Sequence, residues 1–295
     1  DYTDERVFSS SDIINKHLAL CPESAESWLS SFREKYKAAD VLEFLDQVRG
    51  LSPLVIGEAI IDEYITCEGM GKSAKDPILS FLYKSEETYM GGSLAVANHL
   101  AGLCSDVGLL TVLGETNSQR RFIDETLKSN VKPVFIEKKN APTIHKRRFV
   151  DEHTEARVME LYLMDDTPLD ISVKGELLKH LVDLITKHKT TFVTDYGHGM
   201  ISKSLVDFLT KNSPYLIINT QANSGNRGFH TISKYSSADY ISLNGLEVEL
   251  EARDRELSLE EQLEIITKHI DCPQITVTLG RQGSLHYSRD EGISK

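Results

Sequence analysis

The sequence predicts an α/β protein built on a mostly parallel sheet covered by helices on both faces. Two observations predict it. From Leu54 onward, strand-like apolar runs alternate with amphipathic stretches at roughly one strand per 25–35 residues, as strand–helix–strand units do. At five strand ends a glycine or polar residue follows directly, and in open parallel sheets ligands sit at those carboxyl ends. A third observation adds a smaller β element. Residues 143–150 and 156–163 alternate polar and apolar side chains, as half-exposed strands do, and the acidic turn between them predicts an antiparallel hairpin.

The elements follow in order. Residues 1–50 differ in style from the rest. FSSSDIINKHL is a short amphipathic run that Ser11 or Asp12 would cap, and Cys21-Pro22 ends it. Residues 23–32 and 39–48 read as charged amphipathic helices, and the Arg49-Gly50-Leu51-Ser52-Pro53 stretch breaks the second. This part reads as a helical linker, and residues 51–295 as the main domain. LVIG opens the sheet. GGSLAVANHLAGL is a helix opened by two glycines. Residues 107–113 form the next strand, 119–128 a helix and 134–136 a short strand. After the hairpin, Leu177, Leu178, Leu181, Leu184 and Ile185 mark one face of a helix. TTFVTD, YLIIN, ADYISLN and QITVTL are strands, with helices at 202–211, after Asn244, and at 259–270.

Composition excludes several classes. The 295 residues are 40% apolar and 26% charged, which rules out bulk disorder. No apolar run approaches the ~18–20 residues of a membrane helix. The acidic, polar start is not a secretory signal. With 33 basic and 45 acidic residues the net charge is −12, so neither nucleic acid nor an anionic membrane is expected as a partner. Four cysteines lack any zinc spacing, and buried thiols in a reducing cytoplasm are expected. Gly71-Lys72-Ser73 imitates the end of a P-loop, but Thr66 stands where its first glycine belongs. H-E-x-x-H and G-x-S-x-G are absent, and the ten histidines show no metal spacing. The stretch 219–235, NTQANSGNRGFHTISKY, is dense in amides and glycine. It predicts a nest of N–H donors for phosphate, with Arg227 or Lys234 adding charge.

The ordered segments VIGEAIIDEY, YMGGSLAVANHLAGL, PTIHKRRFV…ARVMELY, FVTDYGHGMIS, ADYISLNGLEVEL and ITVTLGRQGSLHY resemble those of the ribokinase/PfkB carbohydrate kinases. VIGEAIIDEY and DYGHG resemble most the heptose-phosphate kinase domain of bifunctional ADP-heptose synthesis enzymes. The resemblance implies a three-layer α/β/α ribokinase-like fold with a small β lid at about 64–90 and 143–163, through which such proteins often dimerise. It implies ATP and Mg²⁺ as cofactors and a sugar or sugar phosphate as acceptor. By resemblance, Asp62 holds acceptor hydroxyls and Gly91 and Gly92 contact the sugar. Asn244 and Glu247 support magnesium and phosphate, and Thr278, Gly280 and Gly283 lie beside the nucleotide. Lys146 and Arg148 occupy lid positions facing an acceptor phosphate. Asp195, at a strand end, is counted with the acceptor residues, and Asn219 with the nucleotide residues.

Three departures stand out. Ala95 replaces the asparagine that follows the di-glycine, and Asn98, one turn later, is the residue expected to compensate. Asn219-Thr220-Gln221 replaces an Asp-Pro-Lys-type segment. The G-A-G-D segment that carries the catalytic aspartate in the family is missing, so the base is expected beyond Lys295. FSSSDIIN resembles a late segment of cytidylyltransferase-like nucleotidyltransferases, with Ser9, Ser10 and Ser11 as the matching hydroxyls and Asn15 in place of an arginine. Together these imply a piece of a bifunctional nucleotidyltransferase–kinase. The alternatives are a non-catalytic sugar- or nucleotide-binding domain on the same fold, and a nucleoside kinase.

Overall fold

A computed structural model describes residues 23–226 and 228–294. They form two compact units that divide between Arg49 and Gly50. The expectations for Ser9, Ser10, Ser11, Asn15 and Arg227 lie outside the described residues. In the first unit, α1 (Glu23–Lys35) and α2 (Ala38–Arg49) are the two predicted helices, each a few residues longer than its pattern. Trp28, Phe32 and Tyr36, spaced by four, pack in a row with ring centroids 5.1 and 5.0 Å apart. Asp40 accepts the Lys37 N–H at 2.8 Å and so caps α2.

The second unit holds a nine-stranded sheet. Its strands are β1 (Pro53–Gly57), β4 (Val107–Thr116), β5 (Val131–Pro142), β8 (Thr190–Asp195), β9 (Leu216–Thr220), β10 (Tyr240–Asn244), β11 (Gln274–Thr278), β12 (Ser284–Ser288) and β13 (Gly292–Ser294). Their order is β13-β12-β11-β10-β9-β8-β1-β4-β5. The seven strands from β11 to β5 are parallel, and β12 and β13 add antiparallel at one end. Every residue of β1 is buried, which requires cover on both faces. Helices α3 (Gly92–Leu100), α4 (Arg120–Thr126), α5 (Ile171–Ile185), α6 (Lys203–Asn212), α7 (Gly245–Ala252) and α8 (Leu259–His269) supply that cover. Leu177, Leu181 and Ile185 of the predicted α5 stripe are buried in the core with Leu54, Ile56 and Leu110 of the sheet.

The lid is a second sheet, of order β3-β2-β6-β7, made by β2 (Ala59–Lys72), β3 (Leu79–Gly91), β6 (Ile144–Asp151) and β7 (Arg157–Leu163). The predicted hairpin is β6–β7. Its turn is tied by Asp151 Oδ1, which accepts the Thr154 N–H at 2.9 Å and its hydroxyl at 2.8 Å. β2 begins at Ala59, earlier than the lid expectation, because only Glu58 separates the end of β1 from the strand that runs into the lid. β5 is much longer than the three residues predicted. Pro133 and the charged run from Glu137 hide it in the sequence, and both are tolerated because β5 is an edge strand.

Candidate active site

Parallel pairing brings the polar strand ends into one row. Thr194 and Asp195 of β8 stand beside Asn219 and Thr220 of β9, and Asn244 of β10 beside Thr278 of β11. Glu58 follows β1, and Asp62 lies on β2 where that strand leaves for the lid.

On the lid side, the di-glycine is fixed by close approach. A Cβ on Gly91 would sit 2.1 Å from Asp62 Oδ2, and one on Gly92, whose φ is +57°, would sit 2.3 Å from the Glu58 carbonyl oxygen. Bare backbone therefore faces the Asp62 carboxylate. The Ser93 N–H donates to that Glu58 carbonyl at 2.9 Å, and the Thr111 hydroxyl to the Gly57 carbonyl at 2.7 Å, which fixes the start of α3 against β1. Asp62 pairs with Arg148, whose Nε also donates to Glu160 Oε1 at 2.9 Å. Two carboxylates thus match the Arg148 charge. Lys146, in register with Asp62, has none. It is 4% exposed, with Nζ 5.1 Å from the Tyr162 ring centroid and 5.9 Å from that of Tyr196. Among the described residues it has no hydrogen-bond or ion-pair partner, and burial lowers its pKa. An open cavity of about 530 Å³ lies against the same face of the lid, lined by Asp62, Tyr64, Thr66, Glu87, Tyr89 and Val150.

Asp195 is not an acceptor contact. It is 0% exposed and fully engaged. Oδ2 accepts the Tyr235 hydroxyl at 2.6 Å and pairs with Lys234, while Oδ1 accepts His230 Nε2 at 2.7 Å. Burial alone would raise its pKa, but the His230 hydrogen bond and the Lys234 charge outweigh it and hold the carboxyl below its ordinary value. Gly197 makes room for this cluster, because a Cβ there would lie 2.7 Å from His230 Cγ. On the other side of the same turn, Glu58 is 2% exposed. Burial first, and then the Asp195 charge, push its carboxyl up to about 7.

On the nucleotide side, Asn244 and Glu247 form a capping box on α7. Asn244 Oδ1 accepts the Glu247 N–H at 2.9 Å, and Glu247 Oε2 accepts the Asn244 N–H at 2.8 Å. Glu247 Oε1 also accepts the Ala222 N–H at 3.2 Å. With Glu247 6% exposed and every one of these oxygens bonded to backbone, the pair does not fit a direct magnesium site. Among the described residues no group of three or more metal-ligating side chains stands together. Thr278 is exposed, and Gly280 and Gly283 turn the chain beyond β11 with open space around them. Asn219 Nδ2 donates to the Ser242 carbonyl at 2.8 Å, so its amide staples β9 to β10.

Two further expectations are corrected. Asn98 does not replace the missing sugar contact. Its amide donates to the Thr126 carbonyl at 3.1 Å and accepts the Lys128 N–H at 2.9 Å. That turn leads into the amino end of β5, the opposite end of the sheet from Asp62. The amide-rich stretch is not an anion nest either. Asn223 and Asn226 each donate to the Tyr196 carbonyl, at 2.8 and 3.1 Å, and their carbonyl oxygens accept neighbouring backbone N–H groups. Lys234 is spent on Asp195.

The chain superposes on ribokinase from Giardia lamblia with a TM-score of 0.63 at 14% identity, covering 83% of this chain and 79% of that one. Phosphofructokinase-2 from Escherichia coli, solved with fructose-6-phosphate, gives 0.61 at 11% identity over 83% and 79%. Ribokinase from Arabidopsis thaliana, solved with ribose and ATP, gives 0.59 at 16% identity over 83% and 77%. The fold is the ribokinase fold. In sequence, the chain is 26% identical over 253 residues to the bifunctional protein HldE of Helicobacter pylori, covering 82% of this chain and 52% of that protein. It is 28% identical over 224 residues to HldE of Campylobacter jejuni, covering 76% and 46%. The chain thus spans about half the length of these relatives. No protein-family model matches it. The resemblance carried by the ordered segments is borne out, as is the ribokinase-like architecture.

Within this ribokinase-like cleft, sequence reasoning assigned no role to Tyr196, His198, His230 and Tyr235. DYGHG marked the turn, but nothing in the sequence shows that Gly197 admits a histidine from thirty-odd residues downstream.

Proposed function

We propose that this chain carries the acceptor and nucleotide cleft of an ATP-dependent kinase that phosphorylates a hydroxyl of a sugar or sugar phosphate, as the kinase part of a bifunctional nucleotidyltransferase–kinase. The observation that carries the reading is Asp62 over the bare Gly91–Gly92 backbone with the unpaired Lys146 beside it. Asp62 accepts hydrogen bonds from acceptor hydroxyls and orients them, the backbone at Gly91 and Gly92 allows a sugar to approach, and Lys146 meets an anionic group. Arg148 positions Asp62. The nucleotide lies along Asn219, Asn244, Thr278, Gly280 and Gly283. Magnesium enters with its phosphates, and no described residue is assigned to it. Asp195 is enclosed, so it is not assigned as the base that takes the hydroxyl proton.

The protein acts in the cytoplasm and pairs with a second copy through the lid. No described helix is long and apolar enough to cross a membrane. The lid exposes Met159, Leu161 and Leu163 on one face of β7, in register with His145, Arg147 and Phe149 of β6.

The test is ADP release by the natural full-length protein with ATP, Mg²⁺ and a panel of sugars, sugar phosphates and adenosine. Turnover of a sugar or sugar phosphate supports the reading. Turnover of adenosine alone replaces it with a nucleoside kinase. Asp62→Ala should lower kcat/KM by about 10–100-fold through the lost charge-assisted hydrogen bonds. A second reading, a binding domain without chemistry, draws on the enclosure of Asp195, and ligand binding without any ADP release would select it.

A further inference from the structure

Glu58 takes no part in the chemistry proposed above, yet it stands on the floor of the cleft, where β1 leaves the sheet. Its Oε2 accepts the Tyr196 N–H at 3.0 Å and its Oε1 the His198 N–H at 3.1 Å. Between them the Gly197 N–H donates to Asp195 Oδ1 at 3.3 Å. Three successive backbone donors are thus shared by two carboxylates. An amide cannot replace Glu58 here, because its NH₂ would face an N–H.

The turn so fixed shapes the surroundings of Lys146. It carries the Tyr196 ring, one of the two aromatic faces near the ammonium. It also carries His198, 4% exposed, whose Nε2 has no hydrogen-bond partner among the described residues. Burial, and next the Lys146 charge, lower the His198 pKa to about 4, so the ring is neutral and brings no rival cation. His198 and Glu58 both line a cavity of about 30 Å³, large enough for one water.

We propose that Glu58 is a positioning residue for the acceptor: its carboxylate sets the Tyr196–His198 turn, and with it the pocket in which Lys146 receives the acceptor's anionic group. The proposal rests on the kinase reading of the cleft.

The groups that act on Glu58 are Asp195 and Tyr235 beside it, Tyr196 and His198 in the turn, and Lys146 from the lid. Lys138 and Asp165, paired with each other, line the same cavity. With its carboxyl raised to about 7, Glu58 is ionised above that pH and neutral below it. When neutral, one oxygen becomes an O–H that opposes a backbone N–H, and the turn loosens. Neutralisation also removes a negative charge near the anion. Positioning therefore predicts weaker anion binding, and simple electrostatics predicts tighter binding.

The experiment compares the natural full-length protein with Glu58→Gln. Acceptor KM should rise about tenfold while the KM for ATP stays unchanged, the size of one lost charge-assisted hydrogen bond. The wild-type pH profile of acceptor kcat/KM should fall below an inflection near 7 that the variant lacks. Where Glu58→Gln does not fold, Glu58→Asp keeps the charge but is too short to reach both N–H groups, and should show the same KM split. A second arm needs no turnover. Inorganic phosphate, titrated by calorimetry, should bind wild type about tenfold more tightly than the variant. Equal or tighter binding to the variant, or a parallel rise in both KM values, overturns the proposal. Weaker phosphate binding by the variant, with no sugar phosphorylated by wild type, upholds Glu58 and overturns the kinase reading alone.

Discussion

Lys146 is buried between aromatic rings without a carboxylate at ion-pair distance among the described residues, an arrangement that opposes folding. Its lowered pKa has the same cause. Lys146→Met should therefore raise the melting temperature while raising the KM for phosphate-bearing acceptors at least about tenfold. Thermal unfolding and steady-state kinetics on one preparation would check both signs. Asp195 behaves oppositely. Its carboxyl is held below the ordinary value, so its contribution to stability is complete above the usual carboxylate range and is lost as pH falls through the depressed value. Asp195→Asn should cost about 3–5 kcal/mol in urea unfolding at neutral pH, because Lys234 and His230 lose their buried partner. At this scale the sequence was informative about residue type and uninformative about orientation. Asp62 and the di-glycine were expected together only from the resemblance, and they meet because β2 and β3 pair antiparallel, Ile60 opposite Gly91. Asp195 was misplaced because burial at a strand end depends on what folds over it.

The capping box on α7 joins the nucleotide row to a helix start. Asn244→Ala removes one half of it and should cost about 1 kcal/mol, read as a shift in urea midpoint, with a parallel loss in ATP affinity. In S-L-N-G-L-E the cap and its partner lie three residues apart, a local spacing that the sequence itself carries. The β6–β7 hairpin was legible for the same reason, as its alternation and acidic turn are local. The stretch 219–235 was not. Its composition suits donors for an anion and donors for its own backbone equally well, and only the path of the chain decides that Asn223 and Asn226 close on Tyr196. β5 was foreshortened because an edge strand need not be apolar along its length.

Across the molecule, the order of segments carried the architecture because each parallel strand needs a crossover, and most crossovers hold a predicted helix; between β9 and β10 the amide-rich stretch makes the crossing instead. The proposed pairing through the lid is a property of this scale. Exchanging Met159 and Leu161 for glutamate should convert a dimer to a monomer in light scattering while circular dichroism stays unchanged, since both side chains are about half exposed, at 53% and 48%. One border of the large sheet carries its own defence. At β5, Pro133 withdraws a backbone donor and Lys132, Lys138 and Lys139 place positive charge along the strand. A strand arriving there from a misfolded neighbour meets a missing hydrogen bond and a row of like charges, and is turned away.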